Sequence, residues 1–219
     1  YDGGIPLGAS RYLWHHILDN PRITWEDNSS SYLGEKYSES QVMEELAARQ
    51  EEGLIDIGPA DDNMVVELLM DKNIVAVYGG GSESGRRALG NRSILADPRH
   101  EDTKDIVNSR VKHRQWYRPF APSVLRGEVG NWFIRDVNSP YMSFAIRFLE
   151  AVKERVPAVV HFNGTARLQT VTEKDNEWYY NLIKRFFKKT GVPMLLNTSF
   201  NDREPIVETA NHAVNCFLK

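Results

Sequence analysis

Three short apolar runs, each closed by a turn rich in glycine, amides or hydroxyls, set the strongest limit on what this chain can fold into. They are Ile74–Tyr78 before Gly79-Gly80-Gly81, Ala158–Phe162 before Asn163-Gly164, and Val192–Leu196 before Asn197-Thr198-Ser199. Short apolar runs bounded in this way read as buried strands. Helical patterns lie around them. Met64, Val65, Leu68 and Leu69 share one face behind a cap at Asp61 or Asp62, and a helix over roughly 174–190 stops at Gly191 after a basic last turn. The alternation predicts an α/β (α+β) fold, whose polar strand ends are where ligands gather.

Charge divides the chain. Its 219 residues carry a net charge of −3, yet residues 1–70 hold 14 acidic and 4 basic side chains, while 71–219 hold 16 and 23. Such asymmetry points to two units, the second facing an anion. The segment Leu54–Asp62, with Gly58 and Pro59, reads as the linker between a unit at 1–60 and one at 61–219. In the first unit the sequence predicts a helix near 9–18, a loop over 24–37, and a second helix. That helix opens on the capping box Ser38-Glu39-Ser40-Gln41 and stops at Gly53.

The start at Tyr1 fits a processed chain or a fragment. No run approaches the roughly 18 apolar residues of a membrane span, and no signal-peptide pattern opens the chain. The single cysteine, Cys216, excludes an internal disulfide framework and fits a reducing compartment, so a cytoplasmic protein without membrane contact is expected.

Four segments carry candidate chemistry. GGGSESGRRALGNRS (79–93) has P-loop glycine spacing at Gly80 and Gly85, but Arg86-Arg87 replace the Lys-Ser/Thr pair, and Ser84 breaks the dinucleotide fingerprint. What remains is a glycine loop whose amides and whose Arg86, Arg87 and Arg92 suit phosphate or carboxylate oxygens. VNSRVKHRQWYRPFAPS (107–123) adds Arg110, Lys112, Arg114 and Arg118 among Trp116, Tyr117 and Phe120. That mixture suits a polyphosphate or a single-stranded nucleic acid. HFNGTARLQ (161–169) supplies Arg167 and Gln169, and NTSFN (197–201) supplies amides and hydroxyls that either bind oxygens or cap turns. The six histidines show no metal-ligand spacing, no Cys-x-x-Cys exists, and His161 reads as structural. Arginines scattered over four motifs favour a small pocket over a nucleic-acid face.

These segments together resemble the carbamoyltransferase family that includes the nodulation enzyme NodU and antibiotic O-carbamoyltransferases. The resemblance rests on Glu83-x-Gly85-x-Arg87-Ala88-Leu89-Gly90-Asn91-Arg92-Ser93 and its extension to Arg99, on Asn108 to Pro122, on Gly164-Thr165-Ala166-Arg167-x-Gln169, and on Asn197 to Asn201. It implies a YrdC-like domain at 61–219, a twisted mixed sheet with flanking helices, preceded by the helical tail of an actin/Hsp70-like domain. It also implies formation of carbamoyl-adenylate from carbamoyl phosphate and ATP with Mg2+. The carbamoyl group would then pass to a hydroxyl or amine acceptor on an N-terminal domain holding Fe or another divalent metal.

Carried onto matching positions, the resemblance puts Arg87, Lys112, Arg118 and Arg167 on the phosphates and carbamoyl group. Asn197 and Ser199 would line the nucleotide pocket, with Arg92 and Thr165 nearby. Asp2 would match a metal ligand of the other domain, and no metal site is implied within this chain. Three departures stand out: Arg86 replaces the proline of the family's GPRALG motif, Asn163 replaces an aspartate, and the glycine loop begins YGGGSE where a Gln-Gly pair is commoner. A nucleic-acid-binding YrdC-like module without transferase activity is the alternative.

Overall fold

In a computed structural model, which describes residues 4–23 and 31–219, the chain forms one six-stranded mixed sheet with helices against it. Asp2 and residues 24–30 of the expected loop lie outside the described residues. In chain order the elements are α1 Gly4–Tyr12, α2 Glu39–Ala48, α3 Asp62–Met70, β1 Val75–Tyr78, β2 Arg92–Ala96, α4 Thr103–Ile106 and β3 Ala121–Leu125. They continue with α5 Val129–Trp132, β4 Phe144–Arg147, β5 Thr165–Val171, α6 Glu177–Thr190, β6 Met194–Ser199 and α7 Ala210–Phe217. The strand order is β1-β2-β6-β3-β5-β4. Only β3 and β5 pair in parallel; the other neighbours are antiparallel.

Local rules account for several elements. Ser38 and Gln41 close a reciprocal capping box on α2, as its sequence predicts. Asn176 caps α6 by accepting from the Tyr179 amide, and Gly191 ends the helix at φ 70°. Between those signals Tyr179, Leu182, Ile183 and Phe186 are buried at helical spacing. They pack with Leu95, Val124, Leu168 and Met194 of the sheet and with Val66 and Leu69 of α3. On the opposite face Ile94, Phe200, Val207 and Ala213 form a second cluster, with Cys216 packed against it. Ile94 and Leu95 thus face opposite layers, as strand alternation requires.

The run Ala158–Phe162 is not a strand. Pro157 opens a 3-10 turn over Pro157–Val159, and the chain reverses through a His161–Gly164 turn before β5 begins at Thr165. Proline's fixed φ and missing N–H favour the turn. Ala158 and Val159 owe their apolar character to core burial rather than to pairing. In the third run the strand runs on through Asn197, Thr198 and Ser199, so those polar side chains sit on the sheet itself.

The acidic N-terminal segment is attached unevenly. Residues 31–49 are tied to the sheet domain: Ser84 N donates to Ser31 O at 2.8 Å, Gly34 N to Ser82 O at 3.1 Å, and Tyr32 Oη to Leu89 O at 3.1 Å. Asn211 on α7 donates to Glu45 on α2 at 2.6 Å. In contrast α1 and the π-helical turn Leu13–Ile17 bury no residue and expose Ile5, Tyr12, Leu13, Trp14 and Ile17. Removing residues 1–23 should therefore shift Tm by only about 1 °C, whereas removing 1–49 should lower it by roughly 5 °C or more. Calorimetric scans of both truncations check this; equal shifts would contradict it.

A candidate anion-binding cleft

β6, β3 and β5 are neighbours at the centre of the sheet, and a cleft of about 270 Å3 opens beside them. Asn197, Thr198 and Ser199 of β6 form one side, and Arg118, Pro119, Phe120 and Ala121 lead along another into β3. Arg167 reaches in from β5, Arg86 and Arg87 from the glycine loop, and His161 from the turn before β5. Four arginines from three separate segments thus line one space, with no carboxylate among its described lining residues.

The segment carrying Arg118 has local support. Asn108, 1% exposed, donates to the carbonyls of Trp116 (3.2 Å) and Arg118 (3.0 Å), and its Oδ1 accepts from Arg114 Nε at 2.6 Å. This one amide orders the segment that presents Arg118. Phe120 is buried, whereas Trp116 and Tyr117 are exposed and meet edge to face.

In the glycine loop, Glu83 Oε1 accepts from the amides of Leu89 (2.7 Å), Asn91 (2.9 Å) and Arg92 (3.3 Å). Burial pushes the Glu83 carboxyl above its usual range, and these three amides act against that shift. At Gly90, φ is 127° and an added Cβ would stand 2.6 Å from the Tyr179 ring, so this turn requires glycine. From this loop Arg86 and Arg87 bring their guanidinium groups to the cleft.

The sequence-derived site residues fall into two sets. Arg87, Arg118, Arg167, Asn197 and Ser199 line the cleft together. Arg92, Lys112 and Thr165 do not. Arg92 is fully buried; its Nη1 donates to Gly79 O at 2.7 Å and Asn91 O at 3.0 Å, and its guanidinium stacks 3.9 Å from the Tyr78 ring. It holds the start of the glycine loop from beneath.

Lys112, 4% exposed, lies behind Ser199. Its Nζ donates to Ser199 O at 2.9 Å and Asn201 Oδ1 at 2.6 Å, fixing the exit of β6. Thr165 Oγ1 donates to Asn163 Oδ1 at 2.7 Å and approaches His161 Nδ1 at 3.3 Å. Asn163 Oδ1 also accepts from Thr165 N at 3.2 Å. A carboxylate would accept the same two bonds, so the amide at position 163 preserves the turn.

Sequence reasoning passed over Glu83 as a support and His161 as a lining residue. Burial, with Arg167 and Lys104 nearby, moves the His161 pKa down, so its ring is neutral at pH 7. Its place after an apolar run gave it a structural reading; the reversal at Gly164 is what turns it into the cleft.

Burial lowers the Lys112 pKa to about 8, with Arg114 adding to the effect. Between pH 8 and the ordinary 10.5 the unfolded chain binds a proton that the folded chain has released, so stability rises with pH in that window. Relative to Lys112→Met, the wild-type Tm should rise by roughly 3–6 °C from pH 8 to 10. A constant or narrowing difference in scans across this range would contradict a released proton.

Among the described residues no group of three or more His, Cys, Asp or Glu side chains is placed to hold a metal ion, and no helix is long and apolar enough to cross a membrane.

Residues 66–219 match the family model described as carbamoyltransferase C-terminus. The nodulation protein NolNO of Sinorhizobium fredii is 42% identical over 100% of this chain and 32% of its own length. NolO of Bradyrhizobium diazoefficiens is 39% identical over 100% of this chain and 40% of its own. An uncharacterized protein of Methanocaldococcus jannaschii, MJ1058, is 41% identical over 99% of this chain and 36% of its own. This chain spans about a third to two-fifths of the length of these relatives. Among solved structures, full-length HypF in its phosphate- and nucleotide-bound form aligns with a TM-score of 0.47 and 16% identity, over 74% of this chain and 20% of that one.

Proposed function

The chain belongs to the carbamoyltransferase family through the family's C-terminal domain, and on that premise we propose that its cleft makes carbamoyl-adenylate from carbamoyl phosphate and ATP. The observation that carries this reading is the convergence of Arg86, Arg87, Arg118 and Arg167 on one small space without a lining carboxylate. Two polyanions repel each other, and holding them together needs fixed cations already in place. Guanidinium forks match phosphate oxygens in pairs.

The reaction balances with water. Water cleaves the P–O bond of carbamoyl phosphate, giving carbamate and inorganic phosphate with release of one proton. A carbamate oxygen then attacks the α-phosphorus of ATP, forming the carbamoyl–adenylate bond and breaking the bond to pyrophosphate. Arg87, Arg118 and Arg167 neutralise charge that grows on the transferred and leaving oxygens, and Arg86 adds a fourth cation where the family's motif has proline. Neutral His161 is the lining group able to take the proton. Lys112 and Arg92 act as positioning residues, the first behind β6 and the second beneath the glycine loop. Exposed Trp116 and Tyr117, beside Arg118, give the nucleobase a surface to stack on outside the anionic end.

Mg2+ accompanies ATP in the expected reaction. With no carboxylate among the described lining residues, this chain's own share of charge neutralisation falls to the arginines. Transfer of the carbamoyl group to a hydroxyl or amine acceptor is assigned to the remaining length of the longer relatives, and exposed α1 is the surface proposed to meet it.

Exchange of labelled pyrophosphate into ATP tests the reading: it should depend on carbamoyl phosphate. Exchange independent of carbamoyl phosphate, or an absence of binding by both substrates in calorimetry, would contradict it. The exposed Trp116–Tyr117 pair among cations favours a second reading, RNA binding without transferase activity. That reading requires RNA affinity that falls steeply with salt.

A further inference from the structure

The buried side-chain amides of Asn108 and Gln169 have both polar atoms paired; Asn197 does not. It is 1% exposed, and its Nδ2 lies 3.0 Å from Ala88 O, Ser123 Oγ and Gln169 Oε1. Ala88 O is a carbonyl and accepts only, so Nδ2 and not Oδ1 must face it. Gln169 is fixed by the same logic: its Nε2 donates to Leu89 O at 3.0 Å, which leaves Oε1 to accept from Ser123 Oγ at 2.5 Å. With both amides oriented by backbone carbonyls, Asn197 Oδ1 is the acceptor left over. It is shielded from solvent and has no hydrogen-bond partner among the described residues, and its residue forms the cleft wall.

An acceptor in that position has a chemical meaning. Arg86, Arg87, Arg118 and Arg167 present only donors, so they bind phosphate oxygens and cannot distinguish what the phosphate carries. One fixed acceptor among them recognises a ligand N–H or O–H. A buried acceptor that gains no partner keeps its full desolvation cost, which is what makes such a group selective. We propose that Asn197 Oδ1 accepts from the amino group of the carbamoyl ligand, and so selects a carbamoyl phosphate over an acyl phosphate. The inference rests on the substrate reading above and adds the atom that reads the substrate.

Acetyl phosphate is the matched probe, because a methyl group replaces the amino group on the same phosphate. Calorimetric titration of the wild-type chain with carbamoyl phosphate, acetyl phosphate and inorganic phosphate should show carbamoyl phosphate bound about tenfold or more tightly than acetyl phosphate. In Asn197→Ala, with fold checked by Tm, the ratio should collapse toward one through weaker carbamoyl phosphate binding, while ATP affinity stays within about twofold. Equal wild-type affinities for the two acyl phosphates overturn the proposal without need of a variant. A ratio kept in Asn197→Ala, or a loss confined to ATP, overturns the assignment of Oδ1 and leaves the substrate reading standing. If neither organic phosphate exceeds inorganic phosphate on the wild-type chain, both the substrate reading and this inference fall.

Discussion

Arg167→Ala should lower carbamoyl-phosphate-dependent pyrophosphate exchange by about 10²–10³-fold, the usual loss when one preorganised donor to developing charge is removed. The physical case rests on position. Arg167 projects from β5 between Ala166 and Leu168, both buried, so its backbone is fixed by the sheet while its side chain reaches the cleft. Its removal takes away one cation and disturbs little else, so Tm should stay within about 2 °C. Arg167→Lys restores the charge but not the fork, and should recover only part of the rate. The salt dependence of carbamoyl phosphate binding should weaken in Arg167→Ala, because one fewer cation faces the anion. Wild-type exchange in Arg167→Ala at unchanged stability would remove this residue from the reaction.

Arg92 and Arg167 look alike in sequence and do different work in the fold. Both arginines sit in polar, glycine-containing motifs, and both start or follow a turn. Arg92 opens β2 with its side chain directed to the carbonyls of Gly79 and Gly80 and stacked on Tyr78. Arg167 lies two residues into β5 on the side facing the cleft. The difference depends on which strands neighbour each one, information that local pattern does not contain.

Elements whose cause is local were legible: the capping box of α2, the Asp61 cap of α3, the glycine stop of α6, and the apolar strands β1 and β6. Elements set by packing were not. Ala158–Phe162 has strand composition, yet Pro157 and the core make it a turn. β2 and β3 lie within motifs whose arginines and prolines drew a binding reading instead.

The same limit hid Glu83, whose removal should have the largest effect on the fold. Glu83→Ala takes away one oxygen that accepts from three amides of the Leu89–Arg92 turn, leaving three N–H groups without their partner. At about 1–3 kcal/mol for each unsatisfied group, partly relieved by entering water, the expected loss is at least about 3 kcal/mol. That corresponds to a Tm lower by roughly 6–12 °C for a chain of this size. Activity should fall further than stability alone explains, because Arg86 and Arg87 are carried by the loop this carboxyl closes.

Glu83→Gln separates hydrogen bonding from charge. Its Oε1 keeps the three acceptor bonds and avoids burying a negative charge. Burial raises the wild-type carboxyl pKa above its unfolded value, so the folded state binds more protons and stability falls as pH rises through that window. Glu83→Gln should therefore match or exceed the wild-type Tm at pH 7, with its advantage shrinking as pH drops toward 4. A Gln variant as unstable as Ala at pH 7 would show that the charge, and not the acceptor geometry, holds the loop.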